Sequence, residues 1–262
     1  MNEVNKTLYI PLYGKSFVSR QGLILRDAKA EEIWDSESFE LKGKSKSKWL
    51  AYNMAMRARV FDDWTGRQIT DAPDAVVIHI GCGLDSRCLR VTQDYRLWID
   101  CDLPDVLTVR RQYYQEDSRY RMMELDATDT GKISELPDSG SAIIVMEGLS
   151  MYLTNVQLNM LLTALHRKYR SIHILMDVYT VFGAKATKFK NPVNDVGVSE
   201  VYGVDDIDTV LTGSGLRMTA EHSFTPPDLV DELDPSDRRI FKMLFTGKTY
   251  RKIYRLYELC GE

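Results

Sequence analysis

The chain is poor in the groups that build metal centres and disulfide frameworks. Its four cysteines, Cys82, Cys88, Cys101 and Cys260, form no CxxC pair, so reduced thiols are expected. Its four histidines, His79, His166, His173 and His222, show no metal-ligand spacing, and no metal is expected. Cationic excess is missing too. The formal net charge is −4, which argues against a nucleic-acid partner needing a broad basic surface. No apolar run approaches the roughly 18 residues of a membrane span. The opening MNEVNKTLYIPLYG has no basic start followed by a long apolar run, so no signal peptide and a cytoplasmic location are expected. Internal repeats and Pro/Gly/Ser-rich linkers are lacking, and 262 residues then read as one α/β domain with additions.

What is present centres on AVVIHIGCGLDSR at 75–87. The apolar run from Ala75 to Ile80 lies between Pro73 and Gly81, as a buried parallel strand would. Gly81 and Gly83 let the backbone turn tightly and let a ligand lie against bare main chain. A helix then opens near Leu84 to Leu89. A dinucleotide fingerprint wants a third glycine where Ser86 stands, and Asp85 would repel a pyrophosphate at the helix start. A nucleoside without phosphates fits better, and S-adenosylmethionine is such a ligand. A nicotinamide dinucleotide is the disfavoured alternative. A glycine turn without a ligand is the bland one.

Further strands are expected at 95–103, 121–128, 141–149, 171–180, 216–224 and 251–260, the last two by alternation. Asp102 ends the second strand 19 positions after Gly83, where a carboxylate would hold a ribose diol. Asp126 ends the third and either accepts from an adenine amino group, with the Ala127 N–H on a ring nitrogen, or caps the next turn. Glu147 ends the fourth, placed to face an ammonium or sulfonium, and its burial demands a partner. A long helix over 46–66 carries apolar residues on two faces and Arg57 among them. That guanidinium needs an anion, either a protein carboxylate or the carboxylate of a ligand.

Helices are also expected over 106–116, 155–170 and 205–211. Residues 7–30, punctuated by Pro11 and Gly14, read as neither a clean helix nor a clean strand, and serve as a cover or a packing arm. KGKSKSK at 42–48 reads as a solvated loop, or as a gate that attracts an acidic substrate. Residues 181–204 read as a lid insertion. The division is then an N-terminal helical cover over 1–70, a core over 71–180, the lid, and the rest of the sheet over 205–262.

With those residues in view, GCGLDSR at 81–87, DCDLPDVLTVRR at 100–111, EGLSMYL at 147–153 and the Arg57–Asp62 spacing in MRARVFDDW mark a resemblance. The chain resembles the leucine carboxyl methyltransferase family, in its bacterial branch of polyketide-biosynthesis O-methyltransferases. The resemblance implies a class I S-adenosylmethionine-dependent methyltransferase with a seven-stranded Rossmann-like sheet, mostly parallel with an antiparallel last strand. It implies that Arg57 and Lys15 bind the methionine carboxylate, that Gly81 lies under the cofactor and that Asp102 holds the ribose. It places Asp126 and Ala127 at adenine and Glu147 near the methionine amino group. His79 departs from the pattern, where the family more often shows Asn.

Methyl transfer from a sulfonium needs positioning and desolvation of the nucleophile. A carboxylate is already ionised at neutral pH, whereas a phenol of pKa about 10 benefits from a base. No histidine is evidently placed as one, which favours a carboxylate acceptor, and the resemblance implies a polyketide-like small molecule. Tyr13 and Tyr152 are candidates to orient it, and Tyr179 is more simply a core residue. A protein C-terminal carboxylate is the alternative acceptor. A catalytically silent S-adenosylmethionine-binding protein is the alternative role.

Overall fold

The computed structural model describes residues 5–41, 43–187 and 201–262. A seven-stranded sheet runs through it: β1 Val76–Ile80, β2 Leu97–Asp102, β3 Tyr120–Glu124, β4 Ser141–Met146, β5 Ser171–Tyr179, β6 Arg217–His222 and β7 Tyr254–Gly261. The strand order is β3-β2-β1-β4-β5-β7-β6. β1 to β5 are parallel, and β7 runs antiparallel to both β5 and β6. The expected strands are therefore all present, each shorter at one or both ends. β3 and β4 stop before Asp126 and Glu147, because those carboxylates sit in the turns that follow the ladder.

The period of two along each strand sorts the core into two layers. Val77 of β1 with Ile143 and Val145 of β4 faces one layer. Val76, Ile78 and Ile80 with Ala142, Ile144 and Met146 face the other. The first layer holds α1 Tyr9–Gln21, α2 Ala28–Ser36, α3 Lys48–Asp71 and α5 Pro104–Arg110. α4 is a single turn, Arg87–Arg90. The second layer is covered by α6 Asn155–Lys168, which opens on a Thr154–Gln157 capping box, and by α8 Ile207–Leu211. α7 Val181–Thr187 follows β5. α9 Pro227–Asp231, α10 Pro235–Phe245 and α11 Gly247–Arg251 lie between β6 and β7, in a stretch given no element from sequence.

Two N-terminal readings are corrected. Residues 9–21 form a helix despite Pro11 and Gly14. Pro11 falls in the first turn, where no intrahelical partner waits for its missing N–H. Gly14 marks the crossing with α3: a Cβ there would lie 3.1 to 3.3 Å from Met54 Cβ and from the Ala51 backbone. The lysine-rich stretch is not simply a solvated loop either. Residues 43–46 make a 3₁₀ turn with Ser45 buried, and Lys48 starts α3 and pairs with Asp237 at 2.8 Å. Of the expected lid, 188–200 lies outside the described residues. No helix among the described residues is long and apolar enough to cross a membrane.

The order of strands reverses between β1 and β4, so a crevice opens at their carboxyl ends. Gly81, Asp102 and Glu147 all stand there.

Candidate active site

A cavity of about 610 Å³ opens at this crevice. Lys15, Arg57, Gly81, Gly83, Asp102, Asp126, Ala127, Glu147 and Tyr152 all line it, as does Tyr179. Nine of these ten come from six separate stretches of the chain.

The glycine turn is built by strand geometry. The Gly81 and Cys82 N–H groups both donate to the Cys101 carbonyl, at 2.8 and 3.1 Å. That bends the chain into positive φ at Gly81 (73°) and Gly83 (53°), which glycine adopts freely. The Gly83 N–H then donates to Asp102 Oδ2 at 2.7 Å, and the Leu103 N–H to Oδ1 at 2.8 Å. Burial raises the Asp102 carboxyl above its ordinary value despite these two bonds. Each oxygen keeps a lone pair beyond those bonds, on a residue that lines the cavity.

A charged array forms the cavity's other wall. Arg57 donates from Nε to Glu147 at 2.9 Å, and from Nη1 to Asp177 at 3.0 Å and the Tyr254 hydroxyl at 2.8 Å. Its Nη2 takes no hydrogen-bond partner among the described residues, and Arg57 lines the cavity. Burial opposes this charge, but Tyr254, Glu147 and Asp177 outweigh it and keep the guanidinium ionised. Glu147 is shared with Arg87 Nη2 through its second oxygen. Burial pushes the Glu147 carboxyl up, yet Arg57 and Arg87 prevail and hold it at about 2. The protein-carboxylate alternative for Arg57 is the one seen: Glu147 and Asp177 hold two of its nitrogens, and the third has no partner among the described residues.

Lys15 Nζ lies 3.0 Å from Asp85, which also meets Arg87 at 3.3 Å and Arg90 at 2.7 Å. Burial opposes the Asp85 charge, but Arg90, Lys15 and Arg87 hold its carboxyl well below the usual range. Asp85 was expected at a helix start. The helix there is one turn beginning at Arg87, and the Asp85 charge is met by these side chains instead. Asp62 bridges Arg87 and Arg90, and Arg90 reaches Asp27 as well.

Asp126 takes the capping alternative: its Oδ1 accepts from the Thr128 N–H at 2.8 Å and hydroxyl at 2.7 Å, while the residue also lines the cavity. Tyr152 donates to Thr7 at 3.1 Å, and burial pushes its hydroxyl up to about 12. Tyr179 stacks on Tyr254 with ring centroids 4.6 Å apart.

Tyr13 is corrected. It does not line the cavity: its hydroxyl meets the Lys46 carbonyl at 3.4 Å and its ring packs on Trp34. The helix explains this. Pro11 and Lys15, four apart, share the cavity face, and position 13 points to the opposite side.

Sequence reasoning missed Asp177 and Tyr254, which hold Arg57 in this wall, and Asn53, which lines the cavity. Asp177 carried a signal, being a lone carboxylate in the apolar strand SIHILMDVY. Burial raises its carboxyl, and the Gly148 N–H supports it at 2.7 Å. The four cysteines are buried and free. Burial pushes the thiols of Cys82, Cys88 and Cys101 up, which keeps them protonated and inert.

Asp102, which carries no cation partner among the described residues, suits a ligand with no phosphate beside it and can accept from a diol. The open Arg57 Nη2 suits a carboxylate and Glu147 an ammonium, which together are the amino-acid end of S-adenosylmethionine.

Comparison with known proteins agrees. The model of the leucine carboxyl methyltransferase family matches residues 3–166. The tetracenomycin polyketide synthesis O-methyltransferase TcmP of Streptomyces glaucescens is 31% identical over 241 residues, covering 90% of this chain and 88% of that one. An S-adenosyl-L-methionine-dependent methyltransferase of Gibberella zeae, dpfgK, is 29% identical over 180 residues, covering 62% of this chain and 60% of its own. Among solved structures, the magnesium protoporphyrin IX methyltransferase ChlM of Synechocystis, determined with bound S-adenosylhomocysteine, superposes with a TM-score of 0.52 at 11% identity, covering 90% of this chain and 93% of that one. A SAM-dependent methyltransferase of Anabaena variabilis gives 0.53 at 13% identity, covering 78% and 83%. At such identities these two bear on the fold alone, and it is the class I methyltransferase fold. The chain belongs to the leucine carboxyl methyltransferase family and is an S-adenosylmethionine-dependent O-methyltransferase.

Proposed function

We propose that the acceptor is a small, polyketide-like molecule and that its methylated atom is a carboxylate oxygen. The observation that carries this is the make-up of the cavity beyond the charged array. Leu50, Met54, Met151, Phe245, Ile253 and the rings of Tyr179, Tyr250 and Tyr254 line it, with no histidine or carboxylate among the described residues of that half. An apolar slot of this kind receives a flat hydrophobic body. Without a base, it favours a nucleophile that is already ionised. TcmP, similar over nearly the whole chain, is named for a polyketide pathway.

S-adenosylmethionine supplies the electrophilic methyl group and leaves as S-adenosylhomocysteine. In this reading the chain's own residues position both reactants. Asp102 accepts from the ribose diol, with Gly81 and Gly83 giving bare backbone beneath. Asp126 and Ala127 border the adenine. Arg57 and Lys15 hold the methionine carboxylate, and Glu147 the amino group. Tyr152 orients the acceptor. The tyrosine rings exclude water from the reacting oxygen, which raises its nucleophilicity. No proton moves when a carboxylate is methylated, so no residue needs to take one.

The test uses methyl-labelled S-adenosylmethionine with aromatic carboxylic acids, matched phenols and peptides with free C-termini. Label in a product that mild hydroxide releases as methanol supports the ester. Label in a base-stable ether overturns the carboxylate. Label on a peptide overturns the small molecule. Tight S-adenosylhomocysteine binding without any turnover would point to a silent binding protein.

A further inference from the structure

The acceptor half holds one polar group that the roles above leave unused. Asn53 lies on α3 one turn before Arg57, and the two share a face because they are four residues apart. The opposite wall repeats the spacing. The Tyr254 hydroxyl accepts from Arg57 Nη1, and Tyr250 donates its hydroxyl to Asn53 Oδ1 at 2.9 Å. Asn53 is only 2% exposed and lines the cavity. Its Nδ2 has no hydrogen-bond partner among the described residues.

A buried amide with an unmade donor is costly, and proteins keep few of them. The Tyr250 hydroxyl fixes the orientation of this one by engaging the oxygen, which leaves the NH₂ end as the unmade donor of a residue that lines the cavity. Leu50, Met54 and Phe245 line the same cavity and are apolar, so they have no acceptor to offer it. The rise of an α-helix places Asn53 about 6 Å along the axis from Arg57, so the donor serves a different ligand group from the one at Arg57 Nη2.

We propose that Asn53 is the acceptor-binding residue that sets specificity: its Nδ2 donates to an oxygen of the acceptor's carboxylate, while Tyr250 holds the amide in place. This rests on the carboxylate reading above. Donation to one carboxylate oxygen leaves the other aimed for methylation. It also makes the site discriminate against acceptors with a donor, not an acceptor atom, at that position, since the amide hydrogens would then face a hydrogen.

The probe is anthracene-2-carboxylate, with anthracene-2-methanol as its uncharged counterpart, titrated by fluorescence onto protein saturated with S-adenosylhomocysteine. Asn53→Leu keeps the volume and removes the donor. Asn53→Asp keeps the shape and places a charge against the carboxylate. The expected result is a loss of carboxylate affinity of about 10- to 100-fold in Asn53→Leu, the scale of one hydrogen bond to a charged group. Asn53→Asp is expected to lose at least as much. The affinity of each variant for S-adenosylhomocysteine should stay within about twofold of the parent, which certifies folding. Equal carboxylate binding by the parent and either folded variant overturns the role of Asn53 and leaves the carboxylate reading standing. Binding of the methanol in preference to the carboxylate, or of neither, by the parent protein overturns that reading and the role together.

Discussion

Arg57→Lys tests the cofactor orientation most directly. The guanidinium has three directions in use or on offer: Nε to Glu147, Nη1 to Asp177 and Tyr254, and Nη2 to the cavity. A lysine ammonium keeps the charge but is a single point on a flexible stem, and it cannot serve two carboxylates on one side and a ligand on the other. With Glu147 and Asp177 both buried, the ammonium settles between them, because leaving either uncompensated costs more than losing the ligand contact. The ligand therefore loses one charge-assisted hydrogen bond, about 1.5–3 kcal/mol, or roughly 10- to 150-fold in affinity. Calorimetry with two ligands reads this out. S-adenosylhomocysteine carries the amino-acid end, and 5′-methylthioadenosine has the same nucleoside and thioether without it. The expected outcome is a loss confined to S-adenosylhomocysteine. Equal weakening of both would mean that Arg57 acts through the fold, and unchanged binding of both would remove it from the site.

Asp102→Ala is expected to weaken both ligands alike, by about 1.5–3 kcal/mol, since the ribose is common to them; a loss seen only with S-adenosylhomocysteine would refute the ribose assignment. Gly81→Ala is expected to cost about 1–2 kcal/mol of stability in urea unfolding, the penalty of a side chain at positive φ, with Leu149 pressing on the new Cβ at 3.2 Å; unaltered stability would contradict the turn geometry. Acid should act through Glu147. Its folded value of about 2 lies below the ordinary 4.5, so its contribution is complete above the unfolded value and fades as pH falls toward 2. Melting temperatures measured between about pH 6 and pH 3 should therefore fall less steeply for Glu147→Gln than for the parent, and identical slopes would exclude that linkage.

The parts of this molecule that were legible in the sequence are those where one local rule dominates. Short apolar runs ended by Gly81, Pro104 or Gly148 mark strands because burial on both faces leaves no room for polar residues. Strand ends were overdrawn toward Asp126 and Glu147, since a run of suitable residues does not show where a ladder partner stops. α1 was illegible because Pro11 and Gly14 are helix breakers in general. Their tolerance here depends on a turn position and on the nearness of α3, both tertiary facts. Tyr13 failed for the same reason, as only the helix phase decides its face. Arg57 was legible as a charge needing an anion, but not how many anions. Asn53 gave no sequence signal, because an unmade hydrogen bond exists only once Tyr250 has been brought across from α11.

The charged array is better understood as an instrument of orientation than of stability. Lys15, Arg57, Arg87 and Arg90 interlock with Asp27, Asp62, Asp85, Glu147 and Asp177, and no carboxylate among Asp62, Asp85 and Glu147 depends on one cation alone. Desolvating so many charges repays little as folding energy. What it supplies is a set of dipoles and charges already fixed before a ligand arrives, so binding need not order them. The formal balance is four cations against five carboxylates. A zwitterionic amino-acid end leaves that excess of one negative charge unchanged, and a sulfonium cancels it. Methyl transfer turns the sulfonium into a neutral thioether and restores the excess. In the proposed orientation the array favours the charged methyl donor over the neutral thioether, without any moving part.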